Sequence, residues 1–194
     1  MSDLNAESHP SRRGVPNRRL LVIRENEDFL VLHKPAGLAC HPTKAGASSS
    51  LMGRVRLHLG NPSEIHLINR LDRETSGQII VAKNRATAAP LRKAWENKQV
   101  QKFYLAIVHG HPPDALQRIA LPLGPAPESP VAVQDKVVEE GTPAETEIKT
   151  IHSFVHQGDP YALLLLSPIT GRKHQLRIHL ADQGYPIVGD KIYA

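Results

Sequence analysis

Residues Ala144 to Pro168, AETEIKTIHSFVHQGDPYALLLLSP, restrict the fold more than any other stretch of the chain. From Ala144 to Phe154 apolar and polar side chains alternate, which is the two-residue period of a strand with one face on a core. From Tyr161 to Pro168 the chain is a continuous apolar run, and VHQGDP between the two carries the glycine, aspartate and proline of a turn. Two strands joined this closely pair antiparallel, because a parallel pair needs a long crossover. A chain with this hairpin is built on an antiparallel sheet.

The remaining segments supply further strands and a few helices. RRLLVIRENEDFLVLHKPAG holds two short apolar runs around the polar turn RENED, so it reads as strand, turn and second strand, ending at Pro35. A Gly-, Pro- and Ser-rich loop from Pro35 to Ser50 leads into SSLMGRVRLHLG, where Leu51, Val55 and Leu59 have helical spacing. QIIVAKN is suited to a buried strand, and RATAAPLRKAWENKQ to a helix with Pro90 in its first turn and Leu91 and Trp95 on one face. VQKFYLAIVHG is expected to be a strand from Val100 to Val108. The Pro- and Gly-rich stretch from His111 to Pro143 reads as an irregular excursion with two strand-like pieces, RIALPLG and VAVQDKVV. GRKHQLRIHLADQG is a helix ending near Gly184. The expected class is α+β, a mixed and mostly antiparallel sheet with flanking helices. No internal repeat or heptad run is present.

Composition narrows the function. A 194-residue chain with 40% hydrophobic and 22% charged residues is read as one globular domain. No apolar run approaches the roughly 20 residues of a membrane span, and the N-terminus lacks the apolar centre of a secretory signal, so a cytoplasmic chain is expected. Cys40 is the only cysteine, which excludes an internal disulfide and a multi-cysteine zinc site. His174 and His179 do not share a helix face and no carboxylate completes a triad with them, so no metal centre is expected despite 11 histidines. The net charge of +5 favours an anionic partner, nucleic acid first. SRRGVPNRR forms part of a basic arm, residues 1–18, expected to be flexible.

Three groups of residues can carry chemistry. INRLDRETSG places Asp72 between Arg70 and Arg73 on a loop that runs into a buried strand. Such an aspartate is ordinarily an exposed ion-pair partner, but a rigid loop beside a strand is also where sheets present reactive groups. Thr75 and Ser76 can bond the loop backbone and Gly77 can take a positive φ at the turn. In GRKHQLRIH, Arg172, Lys173, His174, Arg177 and His179 gather at a helix start, a phosphate-binding pattern, although Leu176, Ile178 and Leu180 show that part of the segment is buried. In QKFYLAIVHG, Phe103 and Tyr104 point to opposite faces of a strand, and a tyrosine in a basic site can stack on an unpaired base. Taken alone these groups define a basic protein that binds nucleic acid, and no reaction.

In order along the chain, VLHKPAGLACHP, NRLDRETSGQIIVAKN, VQKFYLAIVHG and GRKHQLRIHLADQGYPIVGDKIY closely resemble the RluA-type family of RNA pseudouridine synthases, from about Leu20 to Tyr193. The resemblance implies a largely antiparallel sheet crossed by a central cleft, in a catalytic domain of residues 19–194 that stops short of a further C-terminal strand. It implies isomerisation of uridine to pseudouridine in rRNA or tRNA, with base flipping, no cofactor, no metal and RNA as partner to a monomer. Asp72 matches the essential aspartate, Tyr104 the active-site tyrosine and Arg177 the arginine that pairs with the aspartate. Arg70 matches the residue that fills the space left by the flipped base, and Asn69 stands where the family usually has His. Arg73, Thr75, Lys102, Arg172, Lys173, His174 and Gln175 complete the expected RNA-binding set. A catalytically silent RNA-binding module of the same fold is the alternative, and retention of Asp72, Tyr104 and Arg177 argues against it. A base-excising hydrolase ranks last, because no second well-placed acid activates a water.

Overall fold

The computed structural model describes residues 20–42, 46–129 and 134–194, so the basic arm lies outside the described residues, as does part of VAVQDKVV. The chain groups into two compact units, Met1–Arg92 and Lys93–Ala194. The class is α+β, with three α-helices and antiparallel sheets among the described residues. No helix among the described residues is long and apolar enough to cross a membrane.

The first unit is a four-stranded sheet with a helix on its inner face. Strands β1 (Leu21–Glu25) and β2 (Phe29–Lys34) form the expected hairpin. Its turn is tied by Asn26, whose Oδ1 accepts from the amides of Asp28 at 3.0 Å and Phe29 at 2.8 Å. Strand β3 (His66–Leu67) pairs with β4 (Gly77–Ala82), which pairs with β2, giving the order β1-β2-β4-β3. Helix α1 (Leu51–His58) is N-capped by Ser50, whose Oγ accepts from the Gly53 amide at 3.1 Å. As the spacing predicts, Leu51 and Val55 are buried with Leu30, Leu32, Ile79 and Val81 in one core, and Leu59 borders it.

Helix α2 (Arg85–Glu96) corrects one expectation: Pro90 sits inside the helix, beyond the first turn. The helix begins earlier because Asn84 caps it, its Oδ1 accepting from the Thr87 amide at 2.8 Å. The carbonyl that loses its helical partner at Pro90 belongs to Ala86, and both residues are exposed, which leaves the site open to solvent.

In the second unit β5 (Tyr104–His109), β6 (Arg118–Ala120), β9 (Glu145–His156) and β10 (Asp159–Pro168) form a sheet in the order β5-β10-β9-β6, while β7 (Leu123–Pro125) and β8 (Asp135–Val137) pair separately. The hairpin that dominates the sequence is present with a tighter turn than VHQGDP implies. Only Gln157 and Gly158 turn, with φ of 53° and 93°, the two positive values of a type I′ turn, and so the strands run on to either side of them. Helix α3 (Gln175–Asp182) covers the inner face, where Leu180 packs with Val108, Ile148, Leu164 and Leu166. It starts at Gln175, so the cations of Arg172, Lys173 and His174 precede the helix instead of riding on it.

Candidate active site

The loop that carries Asp72 is fastened at each end. Before it, Asn69 mimics a strand residue: its Nδ2 donates to the Gln78 carbonyl and its Oδ1 accepts from the Ile80 amide, each at 2.9 Å. The residue that departs from the family pattern is therefore a support of the loop. After it, Gly77 has φ of 146°, and a Cβ there would meet Leu71 Cδ1 at 3.2 Å, which makes glycine necessary at this turn. Within the loop the Thr75 amide donates to the Asp72 carbonyl at 3.2 Å. Asp72 itself is half-buried, whereas Arg70 is exposed. Arg73 is also exposed, its Nε donating to the Gly37 carbonyl at 3.2 Å and lying 3.6 Å from Glu74.

Tyr104 opens β5 on the inner side of its sheet, opposite Leu166, and borders the core cluster that Leu176 of α3 also borders. Phe103 points to the other face and is 61% exposed, as the alternation predicts. The strand begins at Tyr104 and not at Val100. Lys102 donates to the Thr170 carbonyl at 3.3 Å, and burial, with Lys98 adding to it, lowers the pKa of its ammonium. A groove of about 730 Å³ on the outer face, with Phe103 and Leu165 in its lining, lies across the sheet from Tyr104 and takes in none of the candidate residues.

Arg177 on α3 is gripped by a residue the sequence reasoning did not assign. Its Nε donates to Asp190 Oδ2 at 2.6 Å and its Nη2 to Asp190 Oδ1 at 2.9 Å, a bidentate fork with a carboxylate only 4% exposed. The guanidinium also lies over the Tyr193 ring, 5.0 Å from its centroid. Burial on its own would raise the Asp190 carboxyl. The Arg177 fork and the amides of Ile192 and Tyr193 outweigh it and hold the group below the ordinary carboxylate range. Asp190 lies in the polar segment GDKIY, whose local pattern does not mark the partner that it meets.

The basic cluster before α3 is anchored to protein. Arg172 Nε donates to the Pro143 carbonyl at 3.1 Å, Lys173 Nζ lies 3.1 Å from Asp135, and His174 Nδ1 is 2.9 Å from the Tyr193 hydroxyl. Gln175 is 4% exposed and faces protein: Oε1 accepts from the Thr170 hydroxyl and the Arg172 amide, and Nε2 donates to the Glu145 carbonyl and Thr146 Oγ1. The chain of bonds continues inward. Leu121 offers only a carbonyl, so His179 donates to it from Nε2 at 3.0 Å and accepts at Nδ1 from the Thr146 hydroxyl at 3.0 Å. Burial lowers the His179 pKa, favouring this neutral form. Asp72 belongs to the first unit, and Tyr104 and Arg177 to the second.

A pinned aspartate loop, a strand tyrosine and a forked arginine on an α+β scaffold coincide with a match of residues 28–182 to the RNA pseudouridylate synthase family, and the chain belongs to that family of isomerases. Within it the chain is of the RluA type. It is 36% identical to the dual-specificity RNA pseudouridine synthase RluA of Salmonella typhimurium over 177 residues, covering 90% of this chain and 77% of that protein. An uncharacterized RNA pseudouridine synthase of Mycoplasma genitalium is 35% identical over 178 residues, 91% of this chain and 56% of its own length. The chain thus spans only part of each relative. The structure of human RNA pseudouridylate synthase domain containing 1 superposes with a TM-score of 0.79 at 27% identity, over 94% of this chain and 73% of that one.

Proposed function

We propose that this chain isomerises uridine to pseudouridine at specific sites in structured RNA, ribosomal or transfer RNA, with Asp72 as the reacting carboxylate. The observation that carries the reading is that the family match includes Asp72 on a loop whose backbone is held at both ends. The dual specificity in the name of RluA supports more than one RNA target.

In this reading the target nucleotide is flipped out of its stack, at a cost of a few kcal/mol, and Arg70, exposed beside the loop, fills the space that it leaves. Asp72 acts as an anion, either as nucleophile at C1′ or as base at C2′. The N1–C1′ bond breaks, the uracil turns, C5 bonds to C1′, and the C5 proton leaves as N1 gains one. Atoms balance without any co-reactant. Tyr104 stacks against the base and is placed to take the C5 proton. Arg177 is the cation that keeps Asp72 ionised, and Asp190 and Tyr193 hold its guanidinium for that task. Arg73, Thr75, Lys102, Arg172, Lys173 and His174 serve the RNA backbone, whereas Gln175 orients the segment from within.

The test is chemical mapping of pseudouridine in ribosomal and transfer RNA transcripts after incubation with the purified chain. Conversion confined to a small set of uridines is expected. Binding of those RNAs with no conversion under single-turnover conditions would leave the silent-module reading in its place.

A further inference from the structure

Strand β2 turns Leu30, Leu32 and Lys34 toward the core, so the third inward position is a lysine, and none of its surface is exposed. An ammonium in such a place is costly unless its donors are used. Nζ has three N–H donors and three carbonyls within reach, Pro35 at 2.9 Å, Leu38 at 2.8 Å and Arg73 at 3.0 Å. The first two belong to the loop leaving β2. The third belongs to the residue directly after Asp72.

Other bonds converge on the same short stretch. The Gly37 amide donates to the Arg73 carbonyl at 2.8 Å, and Cys40 Sγ donates to the Leu71 carbonyl at 3.2 Å. With the Thr75 amide on the Asp72 carbonyl, each carbonyl from 71 to 73 has a donor. The peptide planes on both sides of Asp72 are thereby fixed, and with them the direction in which its side chain leaves the backbone. Lys34 is the buried cation of this latch, beside the exposed Arg73 whose Nε donates to the Gly37 carbonyl, and the carboxylates of Glu74 and Asp72 lie close enough to act on its charge.

We propose that Lys34 is a positioning residue for Asp72: its buried ammonium, by bridging the loop after β2 to the Arg73 carbonyl, sets the orientation of the carboxylate. The inference rests on the role given to Asp72 in the proposed function. Lys34 touches no substrate in this account. It acts through the loop backbone, so its loss affects the chemical step and spares RNA binding.

The test compares the wild-type chain with Lys34→Met, Lys34→Gln and Asp72→Asn on a transcript that the wild type modifies, by single-turnover rate, RNA affinity and thermal melt. Lys34→Met is expected to fold and to keep RNA affinity within about threefold while the rate falls at least about tenfold, the size of loss that a small displacement of a catalytic group causes. Lys34→Gln, which retains two donors, is expected to recover part of the rate. A folded Lys34→Met at the wild-type rate overturns the proposal. Where Lys34→Met does not fold, Lys34→Gln decides: slowing at unchanged affinity supports the proposal, and the wild-type rate overturns it. Failure of both to fold shows a general stabiliser and also overturns it. Full activity of Asp72→Asn instead removes the reading on which the proposal rests, whatever Lys34 does.

Discussion

Arg177 illustrates how neighbours hold one side chain in place. A guanidinium on a stem of several rotatable bonds samples many geometries, and the Asp190 fork with the Tyr193 ring restricts them. Asp190→Ala leaves the cation without its buried partner and is expected to cost about 3 kcal/mol, the lower end for breaking such a pair, as read from denaturant melts. Because the folded carboxyl has a lowered pKa, its contribution is complete above the ordinary carboxylate range and is lost as pH falls through the folded value. Asp190→Asn is therefore expected to flatten that acid limb in melts against pH, and an unchanged limb would contradict the pairing. The sequence revealed Arg177 and concealed Asp190, since a carboxylate in a polar segment says nothing of the partner it meets. Lys34 is different. Its parity with Leu30 and Leu32 in FLVLHK already places it on the core side, a signal that a two-residue period carries and that attention to charge alone passes over.

At the scale of elements, local rules account for most of what was legible. The β1–β2 hairpin, α1 and the β9–β10 hairpin follow from periodicity and turn residues. Two of the boundaries that moved did so for local reasons, a cap at Asn84 and two left-handed residues at 157 and 158. Gly158→Ala forces a Cβ into that left-handed position and is expected to lower stability by about 1 kcal/mol in denaturant melts. Pro90→Ala, which restores a helical N–H at an exposed site, is expected to raise the melting temperature; a lower one would contradict the account of α2. His179 is neutral in the fold with a pKa below that of free histidine, so the unfolded chain binds more protons between the two values. Stability is thus expected to rise with pH across that window and to fall on acidification below the ordinary histidine range, and His179→Gln should remove the dependence.

At the scale of the whole molecule, the net charge of +5 and the cations around the Asp72 loop and the start of α3 fit a polyanionic substrate. RNA affinity is expected to weaken steeply as salt rises, and an affinity independent of ionic strength would contradict phosphate contacts. Family membership was legible because several motifs occur in order, whereas any one of them has a bland structural reading. The supports of those motifs were not legible, because Asn69, Asp190 and the Gln175–Thr146–His179 chain act through tertiary bonds that no local pattern encodes. The central claim is that the Asp72 carboxylate performs the isomerisation. Single-turnover pseudouridine formation by Asp72→Asn, measured beside RNA affinity on the same transcript, tests it most directly: the account predicts no product with affinity nearly intact, and product formed at the wild-type rate would contradict it.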